Sequence, residues 1–462
     1  MWRPDLDGKS GPIYRQIADA ISYGISSGNL SVGDRLPAQR DLAYDLGVSL
    51  NTVSRAYSDA TDRGFLQGEV GRGTYVRAVG PLAPDIGSAD MIRQETGPID
   101  FSLNLPAQGK AADALALTLS ELKGTNHLAA YLDYQTIGDH VRHAKAAATW
   151  LGGVGLEVES DNVVLTSGAQ HGLMVAMLAT MRPGDVLLTE ELTYGPVKAL
   201  AQHLGLKIMP VAIDDGGMMA DALDAVCRNV SAKILYCLPT LHTPTTATMD
   251  EDRRAEIVSV ARTHDLLIIE DDVFGALPSE RPGPVASIAP ERTIYVTSVS
   301  KSLAPGLRVG YLHAPAPYIG ALRAAVNLSC WMPPPLMAEI ASRWIENGTA
   351  DKLNDFQRSE ATHRQTLAKQ ILPDKHLKSH PNGFHIWLTL PSNWRPDAFR
   401  MAAEQRGVKV LTGEMFSVGH TSIPPAVRLC ISHEPSRHRV TTGLETVAAL
   451  LKEATDPGAL VL

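Results

Sequence analysis

An α/β fold is predicted for most of this chain, with a separate small head in front of it. Three observations carry the prediction. Apolar, β-rich runs alternate with helical patterns between residues 163 and 313, as expected of strands joined by covering helices. Runs such as KILYCLP and LLIIED are apolar on both faces, which predicts a parallel sheet buried on both sides. The first 77 residues differ, with short amphipathic helices followed by a glycine-marked hairpin.

In chain order, Ile13, Ile17, Ile21 and Ile25 recur at helical spacing and Gly28 supplies a stop. LPAQRDLAYDLGVSLNTVSRAYSDATDRGF then predicts a helix from about Pro37 to Leu46, a turn through Gly47 and Val48, and a second helix capped by Ser49. FLQGEVGRGTYV reads as two short strands around Gly71 and Gly73, with Arg72 at the tip. Residues 1–77 therefore predict a winged helix-turn-helix, a reader of double-stranded DNA. Asn51, Thr52 and Arg55 lie on the helix expected to enter the major groove, Arg35 and Arg40 flank the helix before it, and Arg72 is expected to reach a minor groove or phosphates. This unit carries nine basic and nine acidic residues. With no net charge its counterion-release term is weak, so useful affinity requires two copies, a homodimer.

Residues 78–98 are rich in Pro, Gly and small polar residues without a period and read as a linker. Residues 99–462 form the α/β body, with strands at VVLTS, DVLLTE, KIMPVAI, KILYCLP, LLIIED, TIYVTS and RVGYLH. From about Pro333 a long helical region precedes the isolated strands GFHIWLTL, VKVLTG and AVRLCIS, which predicts a smaller α+β lobe.

Composition limits the function. A net charge of -8 excludes chain-wide electrostatic binding of nucleic acid or anionic membrane. The four cysteines lack CxxC spacing, and the histidines form no HxH cluster and a single HxxxH, His376 and His380, with no cysteine beside it, so no metal site is assigned. No run is long and apolar enough for a membrane helix and the first residues lack an apolar signal core, so a cytoplasmic location is expected.

VTSVSKSLAPGLRVGYL places Lys301 in a hydroxyl-rich turn after an apolar strand. A buried lysine is costly as a charge, and its neutral amine forms a Schiff base with an aldehyde. If that aldehyde is pyridoxal 5'-phosphate, an anion cradle, a carboxylate for the ring nitrogen and a flat group against the ring are also needed. For the cradle, Ser167, Gly168 and Ala169 end a strand and open a helix, with Ser298, Ser300 and Arg308 as further donors. For the ring nitrogen, Asp271 and Asp272 stand at the C-terminal end of a strand, and for the ring face, Tyr194 follows another.

SGAQ, LTYGP, PTLHTPTT, IIEDDVFG and the Lys301 stretch, in this order, resemble a fold-type I aminotransferase, and residues 12–77 resemble a GntR-type head. The combination resembles the MocR subfamily of transcription regulators. The resemblance implies that Lys301 is the Schiff-base lysine, Asp271 the partner of the pyridine nitrogen and Tyr194 the stacking aromatic. It also implies that Arg428 receives an effector carboxylate and that Tyr134 reaches the phosphate of a neighbouring subunit. An amine or amino-acid effector would then displace Lys301 as an external aldimine and reset the two DNA heads. Two positions depart from the aminotransferase pattern: Thr243, Pro244, Thr245 and Thr246 replace NPTG, and Phe274 replaces a tyrosine. Both positions ordinarily bond the cofactor's phenolic oxygen, so holding the cofactor is expected more than fast turnover. The alternative is a working aminotransferase with an accessory head.

Overall fold

The computed structural model describes residues 2–4, 12–26, 29–30, 33–62, 65–69, 73–76, 95–124, 128–135, 137–419 and 425–453. It divides into two compact units, Met1–Ala89 and Asp90–Leu462.

In the first unit, helix α1 (Ile13–Ser26) buries Ile17, Ala18 and Ile21 against Leu42 of α2 (Gln39–Leu46) and Val53, Ala56 and Tyr57 of α3 (Leu50–Asp62). Gly47 ends α2 at φ 65, a left-handed position glycine adopts without strain, and the Val48 amide closes back on Ala43 O at 3.0 Å. Ser49 Oγ accepts from the Thr52 amide at 3.1 Å and caps α3. The Tyr57 hydroxyl donates to Pro37 O at 2.8 Å, fixing α3 against the entry to α2. Strands β1 (Leu66–Glu69) and β2 (Gly73–Val76) pair antiparallel with Leu66 opposite Val76, which makes the wing. Arg72 and most of the linker lie outside the described residues.

The second unit begins with β3 (Ile99–Asp100), α4 (Ala111–Lys123), α5 (Ile137–Gly152), β4 (Val163–Thr166), α6 (Ala169–Thr180), β5 (Val186–Glu190), α7 (Gly195–His203) and β6 (Lys207–Val211). A small hairpin, β7 (Ile213–Asp214) and β8 (Gly217–Met218), leads to α8 (Ala220–Asn229), β9 (Ile234–Cys237), α9 (Glu251–Thr263), β10 (Leu267–Asp271), α10 (Val285–Ile288), β11 (Thr293–Ser298) and β12 (Gly310–His313). These build a seven-stranded sheet in the order β4-β12-β11-β10-β9-β5-β6. Alternate side chains feed two cores: Ile294 and Val296 face α6, while Tyr295 faces the opposite layer with Val163 and Leu165. Each such buried aliphatic contributes about 1.5–3 kcal/mol.

The expectation of a parallel sheet needs one correction. Strand β12 runs antiparallel to both β11 and β4. A parallel return needs a crossover of about a dozen residues or more, usually a helix. The segment 299–309 instead folds into a tight turn that carries Lys301, so the strand after it must come back reversed.

After α11 (Ala316–Cys330), helix α12 (Pro335–Glu346) packs Ile340, Ala341 and Trp344 into the same core as Leu151 of α5. The smaller lobe therefore does not begin near residue 333. The crossing runs along α13 (Thr349–Ile371), whose Leu353 serves the large lobe and Ala368 the small one. Helical periodicity marks an apolar stripe without saying which core it faces. The small lobe holds β13 (Leu377–Ser379), β14 (His385–Thr389), α14 (Pro396–Gln405), β15 (Val408–Lys409), β16 (Leu411–Thr412), β17 (Ala426–Cys430) and α15 (Arg437–Glu453). Its four-stranded sheet has the order β13-β14-β17-β16, and β3 pairs with β15, carrying Ile99 and Phe101 into this core.

Candidate cofactor and effector site

One cavity gathers Ala169, Tyr194, Thr243, Asp271, Ser298, Ser300, Lys301, Arg308 and Arg428, together with Asn104 and Phe274. It lies where β5, β9, β10 and β11 end, the edge at which ligands of open α/β sheets bind. Lys301 Nζ donates to the backbone oxygen of Asn104 and lies 5.7 Å above the Phe274 ring. Burial, which penalises the charged ammonium, pulls the amine down to about 8. The neutral amine, the form that condenses with an aldehyde, is thereby easier to reach than in an exposed lysine.

The two adjacent aspartates differ sharply in surroundings. Asp272 Oδ2 accepts from Arg281 Nη1 at 2.5 Å and from the Tyr295 hydroxyl at 2.7 Å in the interior, and its Oδ1 has no partner among the described residues. Asp271 Oδ2 accepts from the Tyr236 hydroxyl at 2.8 Å, while its Oδ1 is buried without a partner among the described residues. Burial raises the Asp271 carboxyl to about 6, with the Tyr236 hydrogen bond acting the other way. Beneath it the Glu190 carboxyl, fully buried, is pushed up to about 8.

The turn from β4 into α6 forms the cradle. Gly168 sits at φ 86, where a Cβ would lie 2.6 Å from Arg308 Nη2, so only glycine admits the guanidinium. Arg308 Nη2 donates to Ser167 O at 3.1 Å. The Ser167 amide donates to His171 Nδ1 at 2.9 Å, so it does not serve as a cradle donor. Ser300 Oγ is buried with no partner among the described residues. Arg428 lies over the Phe416 ring at 4.7 Å, donates from Nη2 to Ser102 O at 2.7 Å, and leaves Nε buried and unmatched among the described residues.

The donor set fits pyridoxal phosphate. Ser300 and Arg308 would hold the phosphate with the α6 amides, Asp271 the ring nitrogen, Tyr194 a ring face and Lys301 the aldehyde. Ser300 Oγ and Asp271 Oδ1, both unsatisfied and on the one cavity, are what such a ligand would complete. Burial raises the Tyr194 phenol to about 12, so it stays neutral. Thr246 takes φ 66, the backbone its glycine counterpart in NPTG would adopt readily. Phe274 meets Phe384 edge-on at 6.0 Å and offers no donor.

Other expected residues fall elsewhere. Tyr134 is 71 % exposed, lies against Trp331 with ring centroids 5.6 Å apart, and does not line this chain's cavity. In the head, Asn51 and Arg40 are exposed and Thr52 is half-buried. Arg55 stacks on Tyr14 at 4.1 Å, so it must leave that ring to reach a base. Arg35 packs across Gly73, whose Cβ would lie 2.8 Å from its Nε, and joins the wing rather than standing apart.

Asn104, Tyr236 and His385 were not expected at the site. Tyr236 lies inside an otherwise apolar strand and His385 opens a largely apolar one, and such a buried polar residue signals a partner. Asn104, in an irregular stretch, gave no signal.

The two-lobed body with this lysine-centred cavity defines an aminotransferase-type domain carried behind a winged helix-turn-helix. Residues 97–442 match the aminotransferase class I and II family, and the chain belongs to it. Residues 13–76 match the bacterial regulatory proteins of the gntR family, and the pairing is the MocR arrangement. The chain is 28% identical to the HTH-type transcriptional regulator YdeF of Bacillus subtilis, over 98% of this chain and 97% of that one. It is 27% identical to the HTH-type transcriptional regulator TauR of Rhodobacter capsulatus, over 88% and 90%. Among solved structures, kynurenine aminotransferase of Pyrococcus horikoshii superposes with a TM-score of 0.71 at 23% identity, over 78% of this chain and 92% of that one, a likeness of fold.

Proposed function

We propose that this chain is a pyridoxal-phosphate-dependent DNA-binding regulator that responds to an amine or amino acid. The observation that carries the reading is the buried Lys301 amine, in one cavity with the half-satisfied Asp271 and the unpaired Ser300 hydroxyl, in a chain whose first unit is a winged helix-turn-helix. Pyridoxal phosphate supplies an aldehyde that condenses reversibly with primary amines. Lys301 would hold that aldehyde, an effector amine would compete with it, and Arg428 would receive the effector's acid group. The effector need favour one arrangement of the heads by only ~1 to 3 kcal/mol to give a useful response.

Two copies acting together suit both units. The head has no net charge to draw it alone to DNA. On the body Leu132, Leu328, Tyr134 and Trp331 are 92 %, 81 %, 71 % and 61 % exposed, a density of apolar groups that a partner copy would cover. No described helix is long and apolar enough to cross a membrane.

The test is the visible spectrum of purified protein supplied with pyridoxal phosphate, beside Lys301→Ala, with DNA binding to its own upstream region followed in parallel. The wild type should show an imine band near the visible edge that the variant lacks, and amines should alter both the band and the DNA complex. Steady release of an oxo acid with no DNA binding at moderate salt would favour an aminotransferase instead.

A further inference from the structure

We propose that the cavity beside Lys301 selects amino acids that carry a second hydrogen-bond donor close to the amine, a hydroxyl or ammonium, and that Asn104 makes the selection. This rests on the reading that an effector amine replaces Lys301, and it adds the chemistry of that effector.

The orientation of the Asn104 amide follows from a chain of hydrogen bonds. His385 is fully buried, and desolvation with the nearby Arg428 charge holds it neutral, down to about 3, so its ring carries a single proton. Its Nε2 faces the backbone oxygen of His242 at 3.3 Å. A carbonyl only accepts, so the proton is on Nε2 and Nδ1 is left as an acceptor. Asn104 Nδ2 lies 3.3 Å from that Nδ1 and must be the donor there. The other end of the amide is consequently Oδ1, an acceptor, and it is buried with no partner among the described residues.

Two donors on the cavity are committed elsewhere, while Arg428 Nε and Ser300 Oγ stay unmatched among the described residues. Arg428 Nη2 is bound to Ser102 O, and Lys301 Nζ to the backbone oxygen of Asn104 itself. Because one residue supplies both the oxygen at the lysine amine and the unmet Oδ1, the two lie within one side chain's span. An effector whose amine arrives at Lys301 is then within one side chain's span of Oδ1, on a residue that lines the same cavity. Leu105 and Phe274, which line the same cavity, offer that atom no hydrogen bond. A buried acceptor left unmet penalises a ligand lacking the donor, whereas a purely apolar wall discriminates weakly between isosteres.

The test uses the full-length protein loaded with pyridoxal phosphate and titrates the visible band with matched pairs: serine against alanine, threonine against valine, 2,3-diaminopropionate against 2-aminobutyrate. In the wild type the donor-bearing member of at least one pair should half-saturate at a concentration lower by about tenfold or more. Asn104→Leu should lose that ratio, and Asn104→Asp should retain it for the ammonium-bearing compound. Equal half-saturation within every pair, or a preference that survives in Asn104→Leu, overturns the proposal. The wild-type pairs decide the matter even if the variants fold poorly. A loaded protein whose band no amine moves would overturn the exchange reading itself, and this proposal with it.

Discussion

At the scale of single residues, the two neighbouring aspartates show how environment divides identical chemistry. Asp272 is held by Arg281 and Tyr295 in the interior, and removing one partner of such a buried pair leaves the other uncompensated. Asp272→Asn should destabilise the body by about 3 kcal/mol in denaturant unfolding, with or without cofactor. Asp271 lacks an ion-pair partner of that kind among the described residues, accepts from the Tyr236 hydroxyl, and lines the cavity. Asp271→Asn should change stability little and weaken pyridoxal phosphate binding at least tenfold by spectral titration. The opposite pattern would reverse the two roles. The sequence placed both carboxylates at a strand end and the resemblance singled out Asp271, but what holds Asp272 was not legible, because Arg281 and Tyr295 reach it from separate segments. Phe274, by contrast, was recognisable from sequence as a lost phenol donor, since its identity alone settles what it cannot do.

At the scale of elements, the reversed strand β12 shapes the site. Its antiparallel return brings Gly310 against the cradle, where a Cβ would lie 2.6 Å from the Gly168 carbonyl carbon and 2.6 Å from Thr166 Oγ1. Backbone atoms cannot move aside as a flexible side chain does, so any Cβ at Gly310 must displace the turn that opens α6. Gly310→Ala should lower cofactor affinity more than tenfold while the far-ultraviolet dichroism stays close to wild type. Unchanged affinity would show that the cradle tolerates the shift. All seven strands of the large sheet were legible as apolar runs. The direction of the last was not, because strand composition does not record orientation and only the short path through Lys301 requires reversal. The four-stranded sheet of the small lobe was read less completely, since β13 is short and half-exposed.

At the scale of the molecule, the proposed homodimer rests on a head without net charge and a body with exposed Leu328 and Trp331. Placing a charge where apolar groups meet costs several kcal/mol on association. Leu328→Glu combined with Trp331→Glu should yield monomers by sedimentation and cut operator binding at least a hundredfold, with the head still folded. A double variant that stays dimeric would move the interface elsewhere.

The sequence by itself determined the architecture, the lysine at the heart of the cavity and the kind of head in front of it. Those follow from local order: hydrophobic period, turn residues, and motifs whose members are close along the chain. Only the tertiary structure decided what engages Asp272, where the small lobe begins, that Arg55 rests on Tyr14, and that Asn104 offers an acceptor beside Lys301. The physical reason is common to all four. Each depends on which hydrogen-bonding or apolar groups meet across separate segments, and such meetings are fixed by packing rather than by neighbours in the chain.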